Sequence, residues 1–165
     1  MKHLMFYILL IIQAVILVGL AWQYYLVDSY GETVKLTVDR PISGYIEYED
    51  MTVIYFDINK ISKDQWDIDE ELTYNDIVFV LLASDDEGIA HVKKASKQKM
   101  PAGSNEFVLK AHYKYDYSGT YHVKYGIEKI LDHSLYNSVE PSKRIIATLK
   151  IAPWGQRKVI QFDNQ

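Results

Sequence analysis

From Leu4 to Trp22 the chain carries no charge and no proline, and Gln13 is the only polar residue in the run. At about 1.5 Å per residue, a helix of this length is roughly 28 Å long, close to the hydrocarbon thickness of a bilayer. Trp22, Tyr24 and Tyr25 cluster at its far end and Tyr7 lies near its start, where aromatic rings favour the membrane interface. The pattern predicts a transmembrane helix that continues to about Ser29 and ends at Gly31. A core helix of a soluble domain is a poorer fit, because the run has no polar face to offer water.

Beyond the helix the pattern changes from continuous to alternating. Val34, Leu36 and Val38 fall on one side of Thr33–Asp39, with Lys35 and Thr37 on the other, the period of a half-buried strand. Pro41 and Gly44 interrupt it. Tyr45–Asn59 is extended, and Met51–Ile58 is its best strand. Lys60–Asp76 is polar and acidic and reads as a loop with one helical turn. Ile77–Ala83 is an unbroken apolar run, suited to a strand buried on both faces. Ser84–Gly88 has hairpin-turn chemistry, and Ile89–Ser96 returns. Glu106–Tyr115 and Thr120–Ile127 form a second hairpin. Lys129–Pro141 is irregular, and Arg144–Ala152 with Arg157–Phe162 make a last hairpin around Pro153-Trp154-Gly155.

Seven or eight short strands with frequent turn signals predict a mainly β domain, an antiparallel sandwich or barrel. The division is 1–29 for the anchor and 30–165 for the domain. Lys2 at one end of the helix, and Asp28 and Glu32 beyond the other, place the N-terminus in the cytoplasm. The expected location is a bacterial inner membrane, with the domain periplasmic or extracellular. The alternative is a cleaved signal peptide, for which Gly19-Leu20-Ala21 offers a site before Trp22. Its apolar run exceeds the usual ~7–15 residues of such signals.

Composition narrows the chemistry. Setting aside Lys2, the 17 remaining Lys and Arg face all 22 Asp and Glu, so the domain is net negative. That argues against nonspecific nucleic-acid binding, which needs clustered cations to displace phosphate counterions. With no cysteine, thiolate zinc sites, iron–sulfur clusters, cysteine nucleophiles and disulfides are excluded. Neither G-x-S-x-G, S-x-x-K nor a phosphate-cradling glycine loop occurs. The acidic residues from Asp64 to Asp76 lack the glycine and spacing of an EF-hand. No metal or cofactor is expected.

The most concrete site candidate is a basic stripe. If the second hairpin pairs even with even positions, Lys110, His112, Lys114, His122 and Lys124 share one face. Tyr113, Tyr115, Tyr121, Val123 and Tyr125 then share the other. The functional reading is an anion or lipid-headgroup surface; the structural one is a solvated face above a tyrosine-rich core. His112 and His122 alone are too few for zinc. Lys93, Lys94, Lys97 and Lys99 form a second basic run that would meet anionic lipid if it faced the bilayer.

Tyr125-Gly126-Ile127-Glu128-Lys129 resembles the Y-G-I-E-(K/R) segment of the GDYXXLXY family of membrane-anchored bacterial proteins, with an acidic position following near Glu140. Asp50-Met51-Thr52-Val53-Ile54-Tyr55-Phe56 occupies the place of that family's name-giving motif, after Gly31-Glu32 and Val38-Asp39. There only Asp50 is retained; Glu49, Met51, Ile54 and Phe56 depart from the pattern. The resemblance implies one N-terminal membrane helix, a domain of this length and a role beside multi-span membrane proteins. It implies no reaction. Asp50 and Glu128 join the candidate binding residues, with Gly126 and Tyr125 shaping the turn, although Asx-type turns and a strand-end bend explain them without a ligand.

Three functions fit these readings. A membrane-anchored binding or accessory module docking to an integral membrane or envelope protein is the first. The others are an anchored hydrolase built from Asp50, Glu128, His112 and His122, and a secreted binding protein released by cleavage after Ala21.

Overall fold

A computed structural model of the chain describes residues 2–39, 52–130, 139–140 and 142–165. The apolar N-terminal run folds as helix α1, Lys2–Tyr30, followed by β1, Glu32–Thr37. The helix is long and apolar enough to cross a membrane, and none of its apolar window is buried in the domain. Met5 to Trp22 are all exposed.

The rest of the described chain is β structure. In order come β2 (Thr52–Val53), β3 (Lys60–Ser62), β4 (Trp66–Asp67), β5 (Ile77–Ser84), β6 (Ala90–Ser96) and β7 (Glu106–Tyr117). Then follow β8 (Thr120–Lys124), β9 (Lys129–Ile130), β10 (Ile145–Ile151) and β11 (Arg157–Asn164). Short 3₁₀ turns cover Asp57–Asn59 and Lys63–Gln65. Six strands form one sheet in the order β3-β8-β7-β5-β6-β4, three form a sheet β1-β10-β11, and β2 pairs with β9. Single bridges join Lys35 to Ile89 and Val38 to Phe56. The result is mainly β, with a nearly closed barrel-like sheet, as the strand spacing predicts. Among the described residues, every strand pairing is antiparallel except β4 with β6.

Alternation does the sorting. Val34 and Leu36 of β1, Val78, Val80 and Leu82 of β5, Leu109 and Ala111 of β7, and Ala147 and Leu149 of β10 all point into one core with Phe56, Ile61 and Phe162. At about 25 cal/mol per Å² of apolar surface, each fully buried Leu or Ile contributes about 1.5–3 kcal/mol. β5 lies between β7 and β6. On its second face Leu81 is buried and Phe79 half-buried, close to the two-sided burial expected.

Four expectations are corrected. The Met51–Ile58 strand is, among the described residues, only Thr52–Val53 followed by a bridge at Phe56 and a 3₁₀ turn. Asn59 causes the turn, because its side-chain Oδ1 accepts from Phe56 N at 2.7 Å and closes the chain on itself. The Lys60–Asp76 segment is not a loop throughout. Buried Ile61 seats β3 on the edge of β8, and Trp66 stacks on Tyr121 at 4.1 Å, so β4 follows. The third is Thr120–Ile127, where the strand stops at Lys124 and a turn replaces its last residues. The fourth is the hairpin register. His112 faces Lys124 and Tyr113 faces Val123, but a bulge at Lys114 then pairs Tyr115 with His122. The extra residue turns Tyr115 from the core side to the outer side, where it is 56% exposed and stacks on His122 at 4.4 Å.

The helix is locked to the sheet where it ends. Val27 is fully buried, and Gly31 N donates to Val27 O at 2.9 Å. Lys150 Nζ donates to Asp28 O, and Lys158 Nζ pairs with Asp28 Oδ2 at 2.8 Å. Two cations from the β10–β11 hairpin thus meet the negative end of the helix dipole, which has no basic residue of its own in the last turn.

Candidate functional site

The turn after β8 organises the site. Gly126 adopts φ +83°, the left-handed region that glycine enters without strain, and this reverses the chain so that Glu128 points back beneath it. Glu128 is 3% exposed. Its Oε1 accepts from Tyr125 N at 2.5 Å and from Asn59 Nδ2 at 2.8 Å, and its Oε2 accepts from Gly126 N at 2.8 Å. Glu128 O in turn accepts from Ile54 N at 2.8 Å, tying in the β2 segment. Three donors on one buried carboxylate supply charge-assisted bonds that offset much of its desolvation.

Tyr125 and Arg157 complete this polar knot. The Tyr125 hydroxyl donates to Ile58 O at 2.8 Å. Burial, reinforced by the nearby Glu128 charge, pushes that phenol well above its ordinary range. Arg157 Nη1 donates to Tyr125 O, and Nη2 donates to Lys110 O at 2.8 Å. Burial lowers its pKa, opposed by Glu128 and Tyr125. Arg157 is therefore the cation nearest in kind to a counter-charge for Glu128, and it fastens the start of β11 to β7 and to the turn.

Above the knot lies an open cavity of about 410 Å³, lined by Val53, Asn75, His112, Lys114, Lys124, Gly126, Glu128 and Lys129. His112 and Lys124 are cross-strand partners, and Lys114 is the bulged residue beside them. His112 Nδ1 lies 3.1 Å from Asn75 O, so that nitrogen is the donor and Nε2 is left for another partner. Lys114 donates to Asn75 Oδ1 and sits over the Tyr74 ring at 4.3 Å, and Lys124 lies 5.8 Å from the Tyr55 ring. Among the described residues, no carboxylate forms an ion pair with Lys114, Lys124 or Lys129.

Of the sequence candidates, His112, Lys114, Lys124, Gly126 and Glu128 line this one cavity, with Tyr125 packed beneath it. Lys110 precedes His112 on the same strand, outside the lining residues. His122 is drawn off by its stack on Tyr115, and burial together with Lys60 lowers its pKa. Asp50 lies outside the described residues. The Lys93–Lys99 run is largely neutralised: Lys93 pairs with Glu106 at 2.6 Å, Lys94 with Asp67 at 2.7 Å and Lys97 with Asp76 at 3.6 Å. The acidic 64–76 segment thus meets basic side chains of the same domain. Sequence reasoning missed Lys129, Asn75, Asn59 and Arg157. Lys129 directly follows Glu128 and was within reach; the other three come from distant segments and left no local signal.

Comparison of the chain with protein-family models, curated proteins and solved structures gave no match.

Proposed function

We propose that the chain is a membrane-anchored binding or accessory module, in which α1 crosses the bilayer and holds the β domain against the outer surface for docking to an integral membrane or envelope protein. One observation carries this reading. The residues of α1 from Met5 to Trp22 are all exposed, while the last turn is fixed to the domain through Val27, Asp28, Lys150 and Lys158. Leaving that surface in water is unfavourable at about 25 cal/mol per Å², and lipid covers it at no such cost.

The junction favours a short, stiff tether. β1 starts one residue after the helix, and Glu32 pairs with Ile151, so the Ala152–Gln156 turn lies beside the helix end. Trp154 in that turn is exposed, as are Tyr25 and Tyr30, an aromatic set suited to the bilayer interface. Lys2 at the other end favours a cytoplasmic N-terminus and an extracytoplasmic domain. The likeness to the GDYXXLXY family points to the same role. The hydrolase alternative is less well served, because three donors already occupy both oxygens of Glu128, its candidate proton acceptor.

Crosslinking in native membranes, followed by purification of the full chain in mild detergent, tests the docking role. A reproducible integral membrane partner is expected. Recovery of monomer alone in several mild detergents opposes it.

A further inference from the structure

We infer that the cavity between the β7–β8 hairpin and the β2–β9 pair is a binding site for an organic phosphate, held by Lys114, Lys124 and Lys129 with His112. Four observations converge on it. First, the fold completes the basic group that the alternation indicates: His112 and Lys124 face each other across the hairpin, the bulge inserts Lys114 beside them, and Lys129 arrives from β9. Second, they stand without carboxylate partners among the described residues, whereas three lysines of the 93–99 run are each ion-paired. Among the described residues of a domain with excess acid, these three lysines form no ion pair. Third, Glu128, the one acidic group among the described residues of the lining, is occupied from within by Asn59, Tyr125 and Gly126, so its oxygens are not offered as acceptors to the lysines.

The fourth observation concerns size and place. A volume of about 410 Å³ lies within the ordinary range of small-molecule sites and exceeds what a bare phosphate fills. The Val53 side chain and the Tyr55 and Tyr74 rings beside the lysines suit an organic part attached to the phosphate. The cavity also belongs to the helix-junction end of the domain. Glu32 pairs with Ile151, Ile151 with Arg157, and the Arg157 guanidinium reaches Tyr125 O and Lys110 O at the cavity's edge. With strands about 4.8 Å apart, this chain of contacts spans roughly 15–20 Å. The same chemistry therefore has two sources, a lipid headgroup or a soluble phosphate ester.

The experiment uses the full chain in a neutral detergent for soluble probes and in nanodiscs for lipid. The soluble probes are inorganic phosphate and glycerol 3-phosphate, titrated by calorimetry at low ionic strength, where charge attraction is least screened. The nanodiscs hold phosphatidylcholine alone or mixed with phosphatidylglycerol, with protection of the cavity lysines from acetylation as the readout. The variant K114Q/K124Q/K129Q removes the cavity charge, and K93Q/K94Q/K97Q removes equal charge elsewhere. Saturable binding of glycerol 3-phosphate, weakened at least about tenfold by the first triple and little by the second, supports the site with a soluble ligand. Protection that requires phosphatidylglycerol supports a headgroup ligand. In that arm it must be seen at Lys114, Lys124 and Lys129, persist in the 93–97 triple and be absent at Lys93, Lys94 and Lys97 of the unmodified chain. No saturable binding and no lipid-dependent protection, or equal loss of binding in both triples, overturns the site. A shared thermal midpoint for the variants and the unmodified chain shows that folding is not the cause.

Discussion

Asn59 Nδ2 donates to Glu128 Oε1 at 2.8 Å across 69 residues of sequence, and both side chains are buried. Asn59 also donates to Val123 O at 2.8 Å and accepts from Phe56 N, so one amide joins a 3₁₀ turn, a strand end and a buried carboxylate. Replacing Glu128 by Ala strands the Asn59 and backbone donors and should cost about 3–5 kcal/mol. Asn59→Ala leaves the carboxylate short of one donor and should cost about 1–3 kcal/mol. Because the two share a bond, the double variant should be milder than the sum by about 0.5–3 kcal/mol, read from denaturant midpoints. Additive effects would show that the pair is not coupled.

Gly126 is needed for its backbone and not for space, since a Cβ there would meet nothing within 4 Å. Gly126→Ala should therefore cost only the left-handed strain, about 1–2 kcal/mol, with the cavity shape kept. Gly31 is the opposite case. A Cβ there would lie 2.4 Å from Val27 O and 3.0 Å from Lys150 Cβ. Gly31→Ala should displace the helix end from the β10–β11 hairpin. Proteolysis between helix and domain is the readout; unchanged resistance in Gly31→Ala would argue against a tight junction.

Buried partly against Tyr115 and near Lys60, His122 is harder to protonate in the folded state than in the unfolded one. The unfolded chain then binds more protons below the ordinary histidine value of 6.5, so stability falls as pH drops through and below that value. His122→Gln should remove this part of the slope between pH 7.5 and 5. An identical slope in the variant would place its origin elsewhere.

Periodicity revealed the helix, the mainly β class and most strand positions, because one-sided burial imprints a period of two on Val34–Val38 and a continuous run on Ile77–Ala83. It also grouped His112, Lys114 and Lys124. The bulge at Lys114 was hidden, since one inserted residue changes facing without changing composition, and it brought Tyr115 to the outer face, where its ring takes His122 out of the group. The Asn59–Glu128–Arg157 knot was illegible for another reason: its members are separated by tens of residues, and only the nearly closed sheet brings them together. Glu128 was singled out by its motif, but the structure gives it three internal partners, which a local reading does not supply.

The account rests on α1 lying in lipid while its last turn grips the domain. Fractionating cells that express the full chain, with alkaline carbonate washing and external protease added to spheroplasts, measures both halves at once. The chain should stay with the membrane at its full length, with residues after Tyr30 cleaved only from outside. Release of full-length protein as a soluble species by carbonate, or protection of the domain from external protease, would contradict it.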